Sequence, residues 1–273
     1  MQNIITYFNN SPDWHRAAFS AFIFLLIWNI ENLIPITTGY NKNRHAWFNA
    51  SFLLVLAPVQ VGMSYLISTI TIFETNHHWS IFNQNYFTIH PILLFILSFI
   101  LLDLGEYIYH IIMHKYQHLW LFHSVHHSDE KVDVTSTLRE HPIETIIRLA
   151  LLIVWITILG VPIWALFLRQ FIQLFSNLLS HSNFNFSEKA NHYINFVFVT
   201  PNSHHIHHHA RLPLTNTNYG DVLSIWDRLF NTHIEVSQKQ IKYGIDTFGN
   251  EIFSDNRLKL FFRPFTYDKN KKL

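Results

Sequence analysis

Residues 91–127 read PILLFILSFILLDLGEYIYHIIMHKYQHLWLFHSVHH, an apolar run that passes directly into closely spaced histidines. The apolar part, about 91–109, suits one membrane crossing, because about 20 residues at 1.5 Å rise span roughly 30 Å of hydrocarbon. The histidines that follow it are spaced His110-x3-His114 and His123-x2-His126-His127. Residues three or four apart share a helix face, so each set predicts a chelating surface.

Three further apolar blocks cover about 17–36, 52–73 and 143–180. The first two suit one crossing each, whereas the last is too long for one. Its Gly160-Val161-Pro162 is a helix-stopping signal, which predicts a hairpin of two short helices that returns to its starting side, although a re-entrant pair also fits. We therefore predict an all-α, integral-membrane helical bundle with about four to five apolar spans.

Composition supports a membrane protein. Apolar residues make up 49% of the 273 residues and aromatic residues 16%, which is more than a soluble core of this size needs. The net charge of +1 gives no reason to expect nucleic acid as a partner. The N-terminus has no signal-peptide pattern, so we expect the first apolar block to stay as an anchor.

The chain has no cysteine. Iron-sulfur clusters, thiolate-bound haem and cysteine-based zinc sites are therefore excluded. Any bound metal must use imidazole and carboxylate ligands.

The loops predict the orientation. Lys42 and Arg44 lie in the loop at about 37–48, whereas the loop at 74–90 has neither residue type. Because basic residues are retained on the cytoplasmic side, the first loop is expected inside. Three crossings then place the histidines after residue 109 in a cytoplasmic helical cap. The expected location is the bacterial inner membrane, or the endoplasmic reticulum if the source is eukaryotic.

We expect residues 1–273 to form a single membrane-embedded domain, with a motif region at about 99–233 and a C-terminal cytoplasmic tail at 234–273.

A third histidine cluster completes the candidate ligand set. The spacing is His204-x2-His207-His208, although His205, His208 and His209 match it too. An isolated pair is more often structural, but three clusters together indicate a metal site. Eight imidazoles are too many for one ion and suit two.

Other histidines are less certain ligands. His181 is a candidate ninth ligand, and His141, before Pro142, is either a ligand or a helix cap. The remaining ones are expected beside the site or on the surface (His118, His192, His209, His233) or unrelated to it (the five from His15 to His90).

Imidazole ligands usually donate their second N–H to a carboxylate or carbonyl. The candidate carboxylates are Asp103, Glu106, Asp221 and Asp227, each of which could instead cap a helix or pair with Arg139 or Arg228. Glu31 is unusual because it lies inside the first apolar block.

Imidazole binds iron, copper, nickel and zinc, so ligand type alone does not identify the metal. A two-metal site at the lipid boundary is typical of dioxygen activation against C–H bonds, which favours iron. A membrane metal carrier or sensor without redox catalysis is the alternative. A zinc peptidase is weaker, because no His-Glu-x2-His motif occurs.

The ordered motifs resemble those of the fatty acid hydroxylase and sterol desaturase superfamily of integral-membrane di-iron enzymes. They run Asp103-x3-Tyr107-x2-His110-x3-His114, Leu119-Trp120-x2-His123-x2-His126-His127-Ser128, Arg139-x-His141-Pro142, His181-Ser182-Asn183, Thr200-Pro201-x2-His204-x2-His207-His208, Asn218-Tyr219-Gly220 and Trp226-Asp227-x-Leu229-Phe230. The spacing is closest to the alkylglycerol monooxygenase-like branch. Ile111 and Asn231 depart from the usual Arg and Gly.

The resemblance implies oxygen-dependent hydroxylation, desaturation or ether cleavage of a fatty acyl, sterol or related lipid drawn from the bilayer. It also implies two Fe ions, O2 as co-substrate and an external electron donor such as a separate reductase. The Thr-Pro pattern favours the register that begins at His204. Asp103, His141, Asn218 and Asp227 are the residues expected to support the ligands.

Overall fold

The computed structural model describes residues 2–77, 79–82, 89–245 and 256–266. Within them the helices are α1 (Gln2–Asn10), α2 (Asp13–Leu33), α3 (Lys42–Ala50), α4 (Leu53–His77), α5 (Pro91–Lys115), α6 (Gln117–His127), α7 (Pro142–Leu159), α8 (Ile163–Ser180), α9 (Glu188–Ile194), α10 (Pro201–His207), α11 (Ile225–Leu229) and α12 (Arg257–Thr266). Short 3-10 helices lie at Val134–Leu138, Leu214–Asn216 and Gln238–Gln240. The predicted all-α architecture is confirmed.

Among the described helices, α2, α4, α5 and α7 are long and apolar enough to cross a membrane. At most 39% of the residues in each apolar stretch are buried within the protein, so most of this surface faces outward, as contact with lipid requires. The predicted hairpin forms from α7 and α8, but α8 is not among the candidate spans. The predicted loop at 74–90 and the tail at 234–273 lie partly outside the described residues.

The hairpin turns at Gly160, whose φ is 71°. A Cβ at this position would lie 2.0 Å from Oγ of Ser80, so both the backbone angle and the close approach require glycine. The backbone N–H groups of Ile81 and Phe82 donate to carbonyls at the end of α7, which fastens the loop after α4 to the hairpin.

The helices α5, α7 and α10 each begin with proline, preceded by a residue that caps the helix. The pairs are His90-Pro91, His141-Pro142 and Thr200-Pro201, and in each pair the side chain of the first residue accepts a hydrogen bond from an N–H of the first turn. Proline suits this position because its missing N–H has no partner there and its φ is already helical. His141 is therefore the cap of α7, which was one of its two predicted roles.

The main apolar core lies where α4, α5, α7 and α8 meet, around Leu94, Leu102, Leu152 and Trp164. Gly105 allows α5 to approach α7, since a Cβ there would lie 2.6 Å from Nε1 of Trp155. The segments that follow α5 and α8 fold over the end of this bundle.

Two buried carboxylates attach these segments to the spans. Asp103 accepts hydrogen bonds from the N–H groups of Val222 and Leu223 at 3.2 Å each and from Nε1 of Trp226 at 2.8 Å. Glu31 accepts from the N–H groups of Val134 at 3.0 Å and Asn183 at 2.8 Å. Lys42 Nζ lies 2.6 Å from Glu31 and compensates its charge. Both acids therefore position the loops of the cap.

Candidate metal centre

Nine histidines from separate parts of the chain meet in two groups at the end of α5. The five-histidine group contains His110, His114, His123, His127 and His207, and the four-histidine group contains His126, His181, His204 and His208. Within each group one ring nitrogen of every residue lies within 4.8 Å of those of the others. These are the nine residues that the sequence predicts as metal ligands.

The groups do not coincide with the sequence clusters. His126 and His127 enter different groups, as do His207 and His208. Consecutive helical residues point about 100° apart, so neighbours in α6 cannot serve one ion together. The two groups are adjacent, since the rings of His127 and His208 stack with centroids 4.5 Å apart.

The Nε2 atoms point inward in both groups. In the first, Nε2 of His123 lies 3.1 Å from that of His110 and 3.2 Å from that of His127. In the second, Nε2 of His181 lies 2.9 Å from that of His126 and 3.0 Å from that of His204.

The Nδ1 atoms of six of these residues point outward to protein acceptors. Four of them contact backbone carbonyls: His110 contacts Tyr219 at 2.9 Å, His126 contacts Arg139 at 3.2 Å, His181 contacts Asn177 at 2.8 Å and His207 contacts Thr217 at 2.8 Å. The other two contact side chains: His114 contacts Oδ1 of Asn216 at 3.1 Å, and His123 contacts Oε1 of Glu144 at 2.5 Å. A carbonyl or carboxylate can only accept, so these contacts assign the proton to Nδ1.

The Nε2 atoms of these six rings are then unprotonated, so the lone pairs of His110 and His123, and those of His126 and His181, repel each other at about 3 Å. Nε2 of His114 and Nε2 of His207 are buried without a hydrogen-bond partner among the described residues. A cation between the lone pairs removes the repulsion and satisfies these atoms. The donor set therefore fits a metal ion in each group.

Burial keeps the imidazoles neutral. It lowers the pKa of His123 to about 3 and that of His181 to about 4. Burial first, and then the neighbouring imidazoles, lower the pKa of His126, His127, His204, His207 and His208. Neutral rings keep the lone pair that metal binding requires.

The histidines with an uncertain role lie elsewhere. Nδ1 of His205 is 3.2 Å from the Tyr243 hydroxyl, and Nε2 of His209 is 3.2 Å from the Gln240 carbonyl, so the register beginning at His204 is the one that faces the groups. His118, His141, His192 and His233 also lie outside both groups, as do His15, His45, His77 and His90. His78 lies outside the described residues.

Two of the residues predicted to support the ligands, Asn218 and Asp227, stabilise the turn at residues 217–220. The Asp227 carboxylate accepts from the N–H groups of Tyr219 at 2.7 Å and Gly220 at 2.9 Å. Asn218, with φ of 52°, donates to the Ser203 carbonyl at 3.1 Å. This turn presents the carbonyls that accept from His110 and His207.

The other predicted carboxylates contact different partners. Glu106 pairs with Arg148 at 2.9 Å and with Arg169 at 3.2 Å, and Asp221 accepts from Gln173 at 2.7 Å. Neither Glu106 nor Asp221 accepts an imidazole N–H among the described contacts. Glu106 follows the ion-pair alternative, with Arg148 and Arg169 as its partners instead of Arg139 or Arg228. Asp103 holds the 222–226 segment, as described above.

Among the described residues, the carboxylate that contacts an imidazole of the two groups is Glu144, which the sequence reasoning missed. It lies in the first turn of α7 and is buried, and it also accepts from the Tyr109 hydroxyl at 3.2 Å. The available signal was an acidic residue directly after the His141-Pro142 helix start. Its spacing from His123 does not indicate the contact.

An apolar helical bundle that ends in two polyhistidine groups defines an integral-membrane protein with a site of metal-binding type. The profile of the fatty acid hydroxylase family matches residues 95–232, about half of the chain, and the chain belongs to this family. The predictions of the superfamily and of an oxidoreductase enzyme are confirmed at this level.

Named relatives agree with the assignment. The chain is 29% identical to ornithine lipid hydroxylase OlsE of Rhizobium tropici over 241 residues, which cover 83% of this chain and 70% of that protein. It is 29% identical to alkylglycerol monooxygenase of Xenopus tropicalis and 26% identical to that of Homo sapiens, over 55% and 54% of this chain. The aligned part spans about a third of each alkylglycerol monooxygenase, 32% in both cases. No solved structure matches the chain significantly.

Proposed function

We propose that this protein oxidises a C–H bond of a membrane lipid with O2, by hydroxylation or desaturation, at a centre of two iron ions held by the nine histidines. The observation that carries the proposal is the orientation of the rings: six of the nine have Nδ1 anchored to the protein and Nε2 directed inward. Bound iron supplies the one-electron chemistry of dioxygen that side chains cannot supply.

The protein's own contribution is to fix the ligands before metal enters. Carbonyls and Glu144 set the tautomer of six rings, and this anchoring raises their basicity. Trp120 packs against His114 and His127, with ring centroids 4.8 and 5.2 Å apart, and shields this side of the five-histidine group from water.

The substrate is proposed to carry a fatty acyl, sterol or related chain and to enter from the bilayer, because the apolar faces of the spans are exposed. The relatives named for an ornithine lipid and for alkylglycerols support a membrane lipid. Electrons are proposed to come from a separate reductase, since a chain without cysteine cannot carry an iron-sulfur cluster or thiolate haem of its own. The alternative of a carrier or sensor is disfavoured by membership of an oxidoreductase family.

The histidine groups are proposed to lie at the cytoplasmic face. The basic loop at 37–48 contains α3, which packs against the 3-10 helix after α6, so this loop and the histidines share one end of the bundle.

Because the chain has no native cysteine, single-cysteine variants can be labelled without background. An impermeant thiol reagent applied to intact cells should label Trp79→Cys and not Lys189→Cys, and the reverse pattern contradicts the orientation.

The direct test measures iron in the purified protein and compares the lipids of cells that express it with those of cells that do not. We expect about two irons per chain and a new oxidised lipid that requires oxygen. His126→Ala should lose both signals, whereas His118→Ala, an exposed histidine outside the groups, should keep them. Unchanged lipids beside altered cellular metal content would support a carrier instead.

A further inference from the structure

A cleft of about 660 Å³, lined by several charged residues, lies beside Arg139. Its walls come from α3, the 129–131 turn, Arg139 and the first turn of α12. Arg139 connects the cleft to the histidines, because it lines the cleft and its carbonyl is 3.2 Å from Nδ1 of His126.

The lining has an excess of positive charge. Arg44, Lys131 and Arg257 have exposed side chains, and none of them forms an ion pair within the described part of the chain. Buried Asp129 is already compensated, because it accepts from Ser136 at 2.7 Å and from Asn49 at 3.2 Å and lies 3.8 Å from Arg139. This leaves Glu130 as the exposed carboxylate opposite three cations.

Phe48 holds one of these cations in place on the cleft wall. The guanidinium carbon of Arg257 lies 5.0 Å from the Phe48 ring centroid, and that of Arg139 lies 5.1 Å from it. Both contacts are favourable cation–π interactions. Arg139 also lies 3.8 Å from Asp129, so Arg257 is the cation of this pair that is available to an anion.

Two helix N-termini open into the same space. α3 begins after Asn41, whose side chain accepts from the Arg44 N–H at 2.9 Å, and α12 begins after Asn256, which accepts from the Lys259 N–H at 3.0 Å. The positive end of a helix dipole favours anions. The cations and the two helix N-termini that face this cleft therefore both favour an anionic ligand.

We propose that this cleft binds an oxyanion, a phosphate or carboxylate, presented by a lipid headgroup. The lipid source is favoured because α12 has an exposed apolar row, Leu258, Phe262 and Phe265, which are 71%, 52% and 59% exposed. These residues follow a spacing of four and three, which places them on one helix face beside the basic residues, as in helices that lie at a membrane surface. The inference concerns binding and does not depend on the proposed oxidation.

Native mass spectrometry of the full chain, released from detergent with equal amounts of phosphatidylglycerol and phosphatidylcholine, tests the proposal. The wild type should retain phosphatidylglycerol selectively. Each cation near an anionic headgroup contributes about fivefold in affinity, so R44Q/R257Q should reduce the selectivity roughly 25-fold. K131Q should reduce it by about fivefold, while K189Q, an exposed lysine on α9, should leave it unchanged.

Inorganic phosphate distinguishes the source of the oxyanion. Displacement of phosphatidylglycerol by millimolar phosphate, in the wild type but not in R44Q/R257Q, supports a headgroup site in this cleft. Phosphate binding that depends on Arg44 and Arg257, without selective lipid retention, assigns the cleft to a soluble ligand and overturns the headgroup proposal. Equal phosphatidylglycerol retention by wild type and R44Q/R257Q, with iron content preserved in both, overturns the site itself.

Discussion

Replacing Glu144 by glutamine should weaken metal binding in the five-histidine group. Oε1 of Glu144 lies 2.5 Å from Nδ1 of His123 and within reach of the Tyr109 hydroxyl, so the glutamine carbonyl can keep both contacts while the charge is lost. Loss of a carboxylate that orients a metal-bound imidazole costs about 10- to 100-fold in metal affinity, or about 1.4–2.7 kcal/mol. Oε2 has no hydrogen-bond partner among the described residues, so the new amide N–H₂ there costs a further ~1–3 kcal/mol of stability.

The assay is iron retention by the purified protein during dialysis against increasing chelator, read by elemental analysis together with the melting temperature. E144A should be more severe than E144Q, because it leaves the His123 N–H without an acceptor. The matched control is Glu140→Gln, because Glu140 is a nearby carboxyl whose side chain contacts Thr145 and no imidazole among the described contacts, so iron retention should be unchanged. Retention of both irons by E144Q at wild-type chelator concentrations would refute the assigned role of Glu144.

Three other perturbations test separate parts of the structure. H204A should lose iron from the four-histidine group while H205A keeps it, and iron loss by H205A alone would reverse the assigned register. For the metal-free protein, the melting temperature should fall as the pH drops from about 7 toward 4. Burial depresses the folded-state pKa of His123 to about 3 and that of His181 to about 4. The unfolded chain therefore takes up protons first, and stability is lost below the unfolded pKa near 6.5. A melting temperature independent of pH in this range contradicts burial of neutral rings. G105A should destabilise the protein by about 1–3 kcal/mol, because the added Cβ meets Trp155 2.6 Å away, and an unchanged melting temperature argues against close packing of α5 on α7.

Local pattern was sufficient for the architecture and for predicting which histidines gather in the two groups. Hydrophobic run length predicts the spans because a bilayer has a fixed thickness, and the hairpin at Gly160 follows from a turn signal that also appears as a positive φ. The spacing of His110 and His114 places both on one face of α5, and both enter the five-histidine group. These features depend on neighbours within one or two helical turns.

Only the tertiary structure decided how the nine histidines divide between the two groups and which residues accept hydrogen bonds from their Nδ1 atoms. His126 and His127 are adjacent in sequence yet serve different groups, because their side chains leave α6 in different directions and meet partners 55 and 80 positions further along the chain. Spacing could not separate His204 from His205, because that outcome depends on how α10 packs against α8. Nor could it connect Glu144 to His123, because that contact depends on how α7 packs against α6. A residue's helix face is set by its near neighbours, whereas its contact partner is set by the packing of distant segments.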